Sequence, residues 1–240
     1  MWAVTEGKMR AKSGKMVFLR PMAIIREILY LFRKDLLLEF RSTYAISGIL
    51  LYVFSTIFIV YTSFVEVQPP VWNVLFWIIV LFTSVNAIVK SFVQESSPRQ
   101  LYYYVLANPT SVILAKMLYN VVLLLVLSLM IWGGFAFVTD NPVRDTGQFL
   151  MAIFLGSVGF SITFTFVSAI SAKADNNTTL MAILSFPLII PILMILIKIS
   201  ATALGLIQDT SVGQDILILV GIDLILVAMA FILYPFLWRD

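Results

Sequence analysis

The stretch VILAKMLYNVVLLLVLSLMIWGGFAFV, residues 112–138, has one charged side chain, Lys116, in 27 positions. Coiled into a helix at about 1.5 Å per residue, it reaches about 40 Å, more than the roughly 30 Å hydrocarbon core of a bilayer. Five further apolar runs, at residues 45–64, 71–93, 149–171, 178–199 and 215–238, are also of spanning length. Hydrophobic residues make up 61% of the 240, so little chain remains for anything else. The expected fold is an all-α integral membrane protein with six transmembrane helices and no attached soluble domain. Its energy source then has to be another protein or an ion gradient.

Composition narrows the chemistry. The chain has no cysteine and no histidine, which removes disulfides, thiol nucleophiles, imidazole bases and the commonest metal ligand. The nearest approach to a phosphate-binding loop, Ser13-Gly14-Lys15-Met16, lacks the earlier glycine and the hydroxyl that such a loop needs. No enzymatic activity, metal site or cofactor bound by this chain is therefore expected. A net charge of +3 gives no reason to expect nucleic acid as a partner. The distribution of charge is more telling, because nine of the sixteen basic residues precede residue 45. Those nine, with Lys90, Arg99, Lys116, Lys173 and Arg239, fall on one side of a six-span arrangement, leaving Arg144 and Lys198 on the other. The positive-inside rule places both termini in the cytoplasm. Residues 1–21 form a basic extension, expected to be disordered, and with no apolar core residues 1–16 do not read as a cleavable signal.

Residues 22–42 follow a helical period, with Ile25, Leu29, Phe32, Leu36 and Phe40 along one stripe and Arg26, Glu27, Arg33, Lys34 and Arg41 on the opposite arc. This pattern predicts an amphipathic helix lying in the membrane interface, its charged arc among head groups and Asp35 and Glu39 near a cytoplasmic partner. Residues 43–240 then make up the six-helix domain. Between the second and third runs, residues 94–109 carry their own helix signals. Ser97 is an N-cap, Pro98 occupies the first helical position, Gln100 completes a capping box, and Asn108-Pro109 ends the segment. Tyr102, Tyr103 and Tyr104 give this short helix a contact surface of low entropic cost, although tyrosines also line membrane interfaces. Glu95, Arg99, Tyr102, Tyr103, Leu106 and Pro109 are the candidate residues for coupling to a partner.

Within the apolar runs the polar residues are few. Asn86, Ser161, Thr165 and Asp223 are candidates for a cargo path. The hydroxyl face Ser157, Ser161, Thr165 and Ser168, beside Gly156 and Gly159, equally suits close helix packing. Asp223 needs a cationic or hydrated partner if charged, and Lys198 or a cavity water is a candidate. Pro187 and Pro191 each remove a backbone donor one turn apart, predicting a kink or break in the fifth span and a candidate hinge. Residues 200–214 are mildly apolar and are expected to form a short lid on the outer face.

Four pieces in order resemble the CcmB family: Lys34-Asp35-Leu36-Leu37-Leu38-Glu39-Phe40-Arg41 before the first span; Phe92-Val93-Gln94-Glu95 leading to Asn108-Pro109; Ala115-Lys116 opening the third span; and Phe186-Pro187-Leu188-Ile189-Ile190-Pro191-Ile192-Leu193 in the fifth. The resemblance runs over about residues 30–200; the basic N-terminal extension and the tyrosine-rich segment depart from it. It implies the permease subunit of an ABC transporter for cytochrome c maturation, of the ABC-2 exporter type, in a bacterial inner membrane. It further implies a homodimer of the permease, a cytoplasmic CcmA-like ATPase that binds ATP, and CcmC-like and CcmD-like membrane partners. Haem is the cargo so implied, either moved across the membrane or released on its chaperone. The alternatives are an ABC-2 permease for lipid, polysaccharide or drug, and an ion-coupled secondary transporter built around Asp223.

Overall fold

The computed structural model describes residues 21–41, 43–64, 66–93, 109–173, 178–208 and 211–239. The N-terminal extension and the coupling candidates Glu95, Arg99, Tyr102, Tyr103 and Leu106 lie outside them. Every regular element among the described residues is a helix: α1 (Pro21–Arg41), α2 (Thr43–Ser63), α3 (Pro69–Val93), α4 (Pro109–Thr139), α5 (Thr146–Lys173), α6 (Thr178–Ala203) and α7 (Val212–Arg239). Helices α3 to α7 each contain a stretch long and apolar enough to cross a membrane, whereas the apolar part of α2, Ser47–Ser63, is shorter.

α5 is the central helix. It touches α3, α4, α6 and α7, and 78% of its apolar stretch is buried, against 22% for α7. The difference follows from composition: α5 has glycine and hydroxyl residues that admit close neighbours, while Leu217, Leu224, Ile225 and Ile232 of α7 face outward, as lipid-contacting side chains do. Where α3, α4 and α5 meet, Trp72 stacks on Phe76 and Phe135, with ring centroids 5.6 and 5.1 Å apart. Phe149 adds itself to the cluster at 5.2 Å from Phe76. These rings are fully buried and fix one end of the bundle, hereafter the loop end.

The turns at that end have identifiable causes. Asp140 takes a left-handed conformation, φ 62°, stopping α4 as a residue just beyond a helix C-terminus often does. Asp145 caps α5 by accepting the Gln148 amide at 3.0 Å. α6 stops in a Schellman motif, with Leu206 N donating to Ala201 O, Gly205 N to Thr202 O, and Gly205 at φ 73°. Arg144 N and Asp145 N both donate to Ala203 O, tying the α4–α5 turn to the end of α6.

Three expectations are corrected. Residues 200–203 are the buried last turn of α6, not the start of a lid, because the Ser200 hydroxyl is absorbed by contacts inside the bundle. α6 continues as one helix through Pro187 and Pro191, which overturns a break there but not a kink. On α1, Ile25 and Leu29 are exposed, which leaves the expected lipid-facing stripe unchanged, but Glu27 is half-buried and binds Ser111 of α4 at 2.9 Å. The charged arc is thus partly a packing face. Asp35 is ion-paired with Lys34 at 2.8 Å, its side chain 10% exposed.

Candidate functional site

The candidate site grows from α5 outward. A Cβ on Gly156 would lie 2.7 Å from the Trp77 ring and 3.1 Å from Leu196. Glycine here is what lets the α3 indole and α6 reach the α5 backbone. Trp77 Nε1 donates to Ser200 Oγ at 2.8 Å, and Asn73 Nδ2 donates to Ile197 O at 2.9 Å. The Ser200 hydroxyl also lies 2.7 Å from Asn73 Oδ1. The result is a buried α3–α6 clasp beside α5, made of groups that would otherwise be unsatisfied in an apolar interior.

One helix over, Ser161 Oγ donates to Met117 O at 2.8 Å, and Asn120 Nδ2 donates to Thr165 Oγ1 at 2.8 Å. Both hydroxyl residues are fully buried, and both bonds join α4 to α5. Thr163 and Ser157 instead bond back to the carbonyls of Gly159 and Ile153, one turn earlier. Asn120 Oδ1 has no hydrogen-bond partner. The hydroxyl face therefore serves helix contact in this conformation.

Asp223 projects from α7 toward the opposite side of α5. It is 6% exposed, and its Oδ1 has no hydrogen-bond partner. A Cβ on Gly159 would stand 3.0 Å from that oxygen and 3.2 Å from Ile192. The carboxylate thus occupies an α5–α6–α7 junction kept open by a missing side chain. Lys198 does not serve it: its ammonium pairs with Asp215, at 3.1 Å to Oδ1 and 2.9 Å to Oδ2. Asp215 precedes Asp223 by eight residues, about 12 Å along the helix. Lys198 and Asp215 lie within the last turns of α6 and the first turn of α7, nearer the loop end.

The remaining candidates lie apart. Asn86 is exposed on α3, below Val74, Ile78 and Phe82 on the same stripe, with its Nδ2 donating to Phe82 O. Pro187 and Pro191 are exposed on α6, while Ile189 and Ile192 beside them face inward. Pro109 opens α4, the first-turn position that suits proline. Sequence reading missed Ser200 and the Glu27–Ser111 bond. The first was placed in a loop by the apolar boundary; the second spans two helices distant in sequence, and no local pattern reports it. Among the described residues no group of three or more acidic side chains gathers as a metal site. With no histidine or cysteine in the sequence, any axial haem ligation by this chain falls to methionine or tyrosine.

The family model described as CcmB protein matches residues 26–236, from α1 to α7. The chain belongs to the CcmB family. A CcmB-family chain is a membrane transport subunit of the ABC system for haem export and cytochrome c biogenesis, a system with an ATPase partner. The match extends beyond residues 30–200, taking in all of α7 but its last turn. Searches of curated proteins and of solved structures returned no match.

Proposed function

We propose that this CcmB-family chain is the permease of an ATP-driven complex in a bacterial inner membrane, crossing six times with both termini in the cytoplasm. The family match over residues 26–236 carries this reading. It is supported by a sequence without a phosphate-binding loop, which leaves ATP to a separate CcmA-like subunit. Two permease copies pair with two ATPase copies, and CcmC-like and CcmD-like proteins complete the assembly. Glu95, Arg99, Tyr102, Tyr103, Leu106 and Pro109 form the surface on which the ATPase acts, with the connection between α5 and α6 as a second contact. The output is either haem moved across the membrane or haem-loaded chaperone released from the CcmC-like protein. The chain itself binds no cofactor.

Within this reading the tight seams around α5 are the parts that separate and re-form, and Asp223 is the group that gains a partner when they do. An acidic side chain is costly at membrane depth and is a functional candidate there. The test is recovery of the tagged chain from mild detergent, followed by identification of its partners. An ABC ATPase together with CcmC-like and CcmD-like proteins supports the proposal. An ATPase without those companions moves the cargo to another ABC-2 substrate, and no ATPase at all leaves an ion-driven carrier.

A further inference from the structure

α1 is fastened to α4 at the end of the molecule opposite the aromatic cluster. Its main contact in the bundle is with α4, and Glu27 makes a polar bond across that contact. The Glu27 carboxylate accepts a hydrogen bond from the Ser111 hydroxyl at 2.9 Å. Ser111 is the third residue of α4 and is fully buried. The first four amides of a helix have no acceptor inside it, so a helix N-terminus favours nearby negative charge. α4 has no acidic residue in its own first turn. Glu27, from another helix, supplies that charge where α4 begins, directly after residues 94–108.

We propose that Glu27 is a positioning residue that caps α4 from α1, holding the first turn of α4 so that α1 and α4 move as one when the segment before α4 is pushed. A push on the segment is then delivered to α4 and α1 together instead of being spent in fraying the first turn of α4. This role rests on the reading of residues 94–108 as the ATPase-facing surface.

The test uses the full chain expressed with its partners. It compares native protein with Glu27→Ala, Glu27→Gln and Ser111→Ala, and reads three quantities: ATPase recovered with the chain, c-type cytochrome made per recovered complex, and amide hydrogen exchange at residues 110–113 of the purified chain. Glu27→Ala and Ser111→Ala are expected to keep the ATPase, speed exchange in the first turn of α4, and lower the cytochrome yield roughly tenfold, a size in the range of coupling effects. Glu27→Gln still accepts the Ser111 bond but supplies no charge, and is expected to give a yield and an exchange rate between those of Glu27→Ala and the native chain. Unchanged exchange in Glu27→Ala, or a normal cytochrome yield from it, would overturn the proposal. Failure to recover an ATPase with the native chain would instead remove the transporter reading, and the exchange rates alone would then decide whether Glu27 caps α4.

Discussion

At the scale of single residues, Gly156 and Gly159 lie on the same helix three positions apart and face different demands. An alanine at 156 would drive its Cβ into an indole held in place by Ser200, and Trp77 has no easy way to yield. Gly156→Ala is expected to cost about 1–3 kcal/mol, the usual range for overpacking, read as a lower unfolding midpoint in detergent. At 159 the nearest atom is the end of a carboxylate that can turn, so Gly159→Ala should cost less. In an Asp223→Ala background its cost should fall further, a non-additivity expected of groups in contact. Asp223→Leu replaces a buried acid whose Oδ1 is unpartnered by an apolar side chain of similar size. It should stabilise the fold by about 1–3 kcal/mol if the oxygen bears a full desolvation cost, read as a higher unfolding midpoint, while lowering cytochrome output. A fall in the midpoint would mean that the carboxylate is satisfied in the resting protein.

At the scale of elements, α6 combines a buried, hydrogen-bonded end with two prolines on its exposed side. Pro187→Ala with Pro191→Ala restores two donors and should leave the helix and its assembly intact. If the prolines serve movement, cytochrome output drops while ATPase recovery does not; unchanged output would confine them to structure. At the end of α6, Gly205→Ala forces a side chain into positive φ against Arg144 and should cost about 1 kcal/mol. Lys198→Met should cost under about 1 kcal/mol, because its ammonium is partly exposed. The helices α3 to α7 were legible in the sequence because long apolar runs have few other solutions. Where sequence reading failed, a polar residue had found its partner far along the chain. Ser200 looked like the start of a loop because nothing nearby announces Asn73 and Trp77. Lys198 is a candidate partner for Asp223 in the sequence alone, as is a cavity water, whereas the fold puts Asp215 beside it. Glu27 was assigned to head groups because a helical wheel cannot know which neighbour the charged arc will meet.

At the scale of the molecule, α1 and the start of α4 lie at one end of the bundle, and the aromatic cluster, with Phe135 near the end of α4, and the short turns lie at the other, with α5 packed through the middle. This layout suits a machine driven from one end. The cysteine-free sequence allows its orientation to be measured with single introduced thiols. Asn141→Cys should react with an impermeant reagent added outside intact cells, and Lys173→Cys only after the membrane is opened; the reverse pattern would invert the proposed topology. The central claim, that an ATPase works through the segment leading into α4, has a more direct test. The tagged chain and its Arg99→Ala, Tyr103→Ala, Leu106→Ala triple variant are purified in mild detergent and their partners identified. The account predicts an ABC ATPase with CcmC-like and CcmD-like proteins on the native chain, and loss of the ATPase from the variant. An ATPase retained by the variant, with normal cytochrome c production, would contradict it.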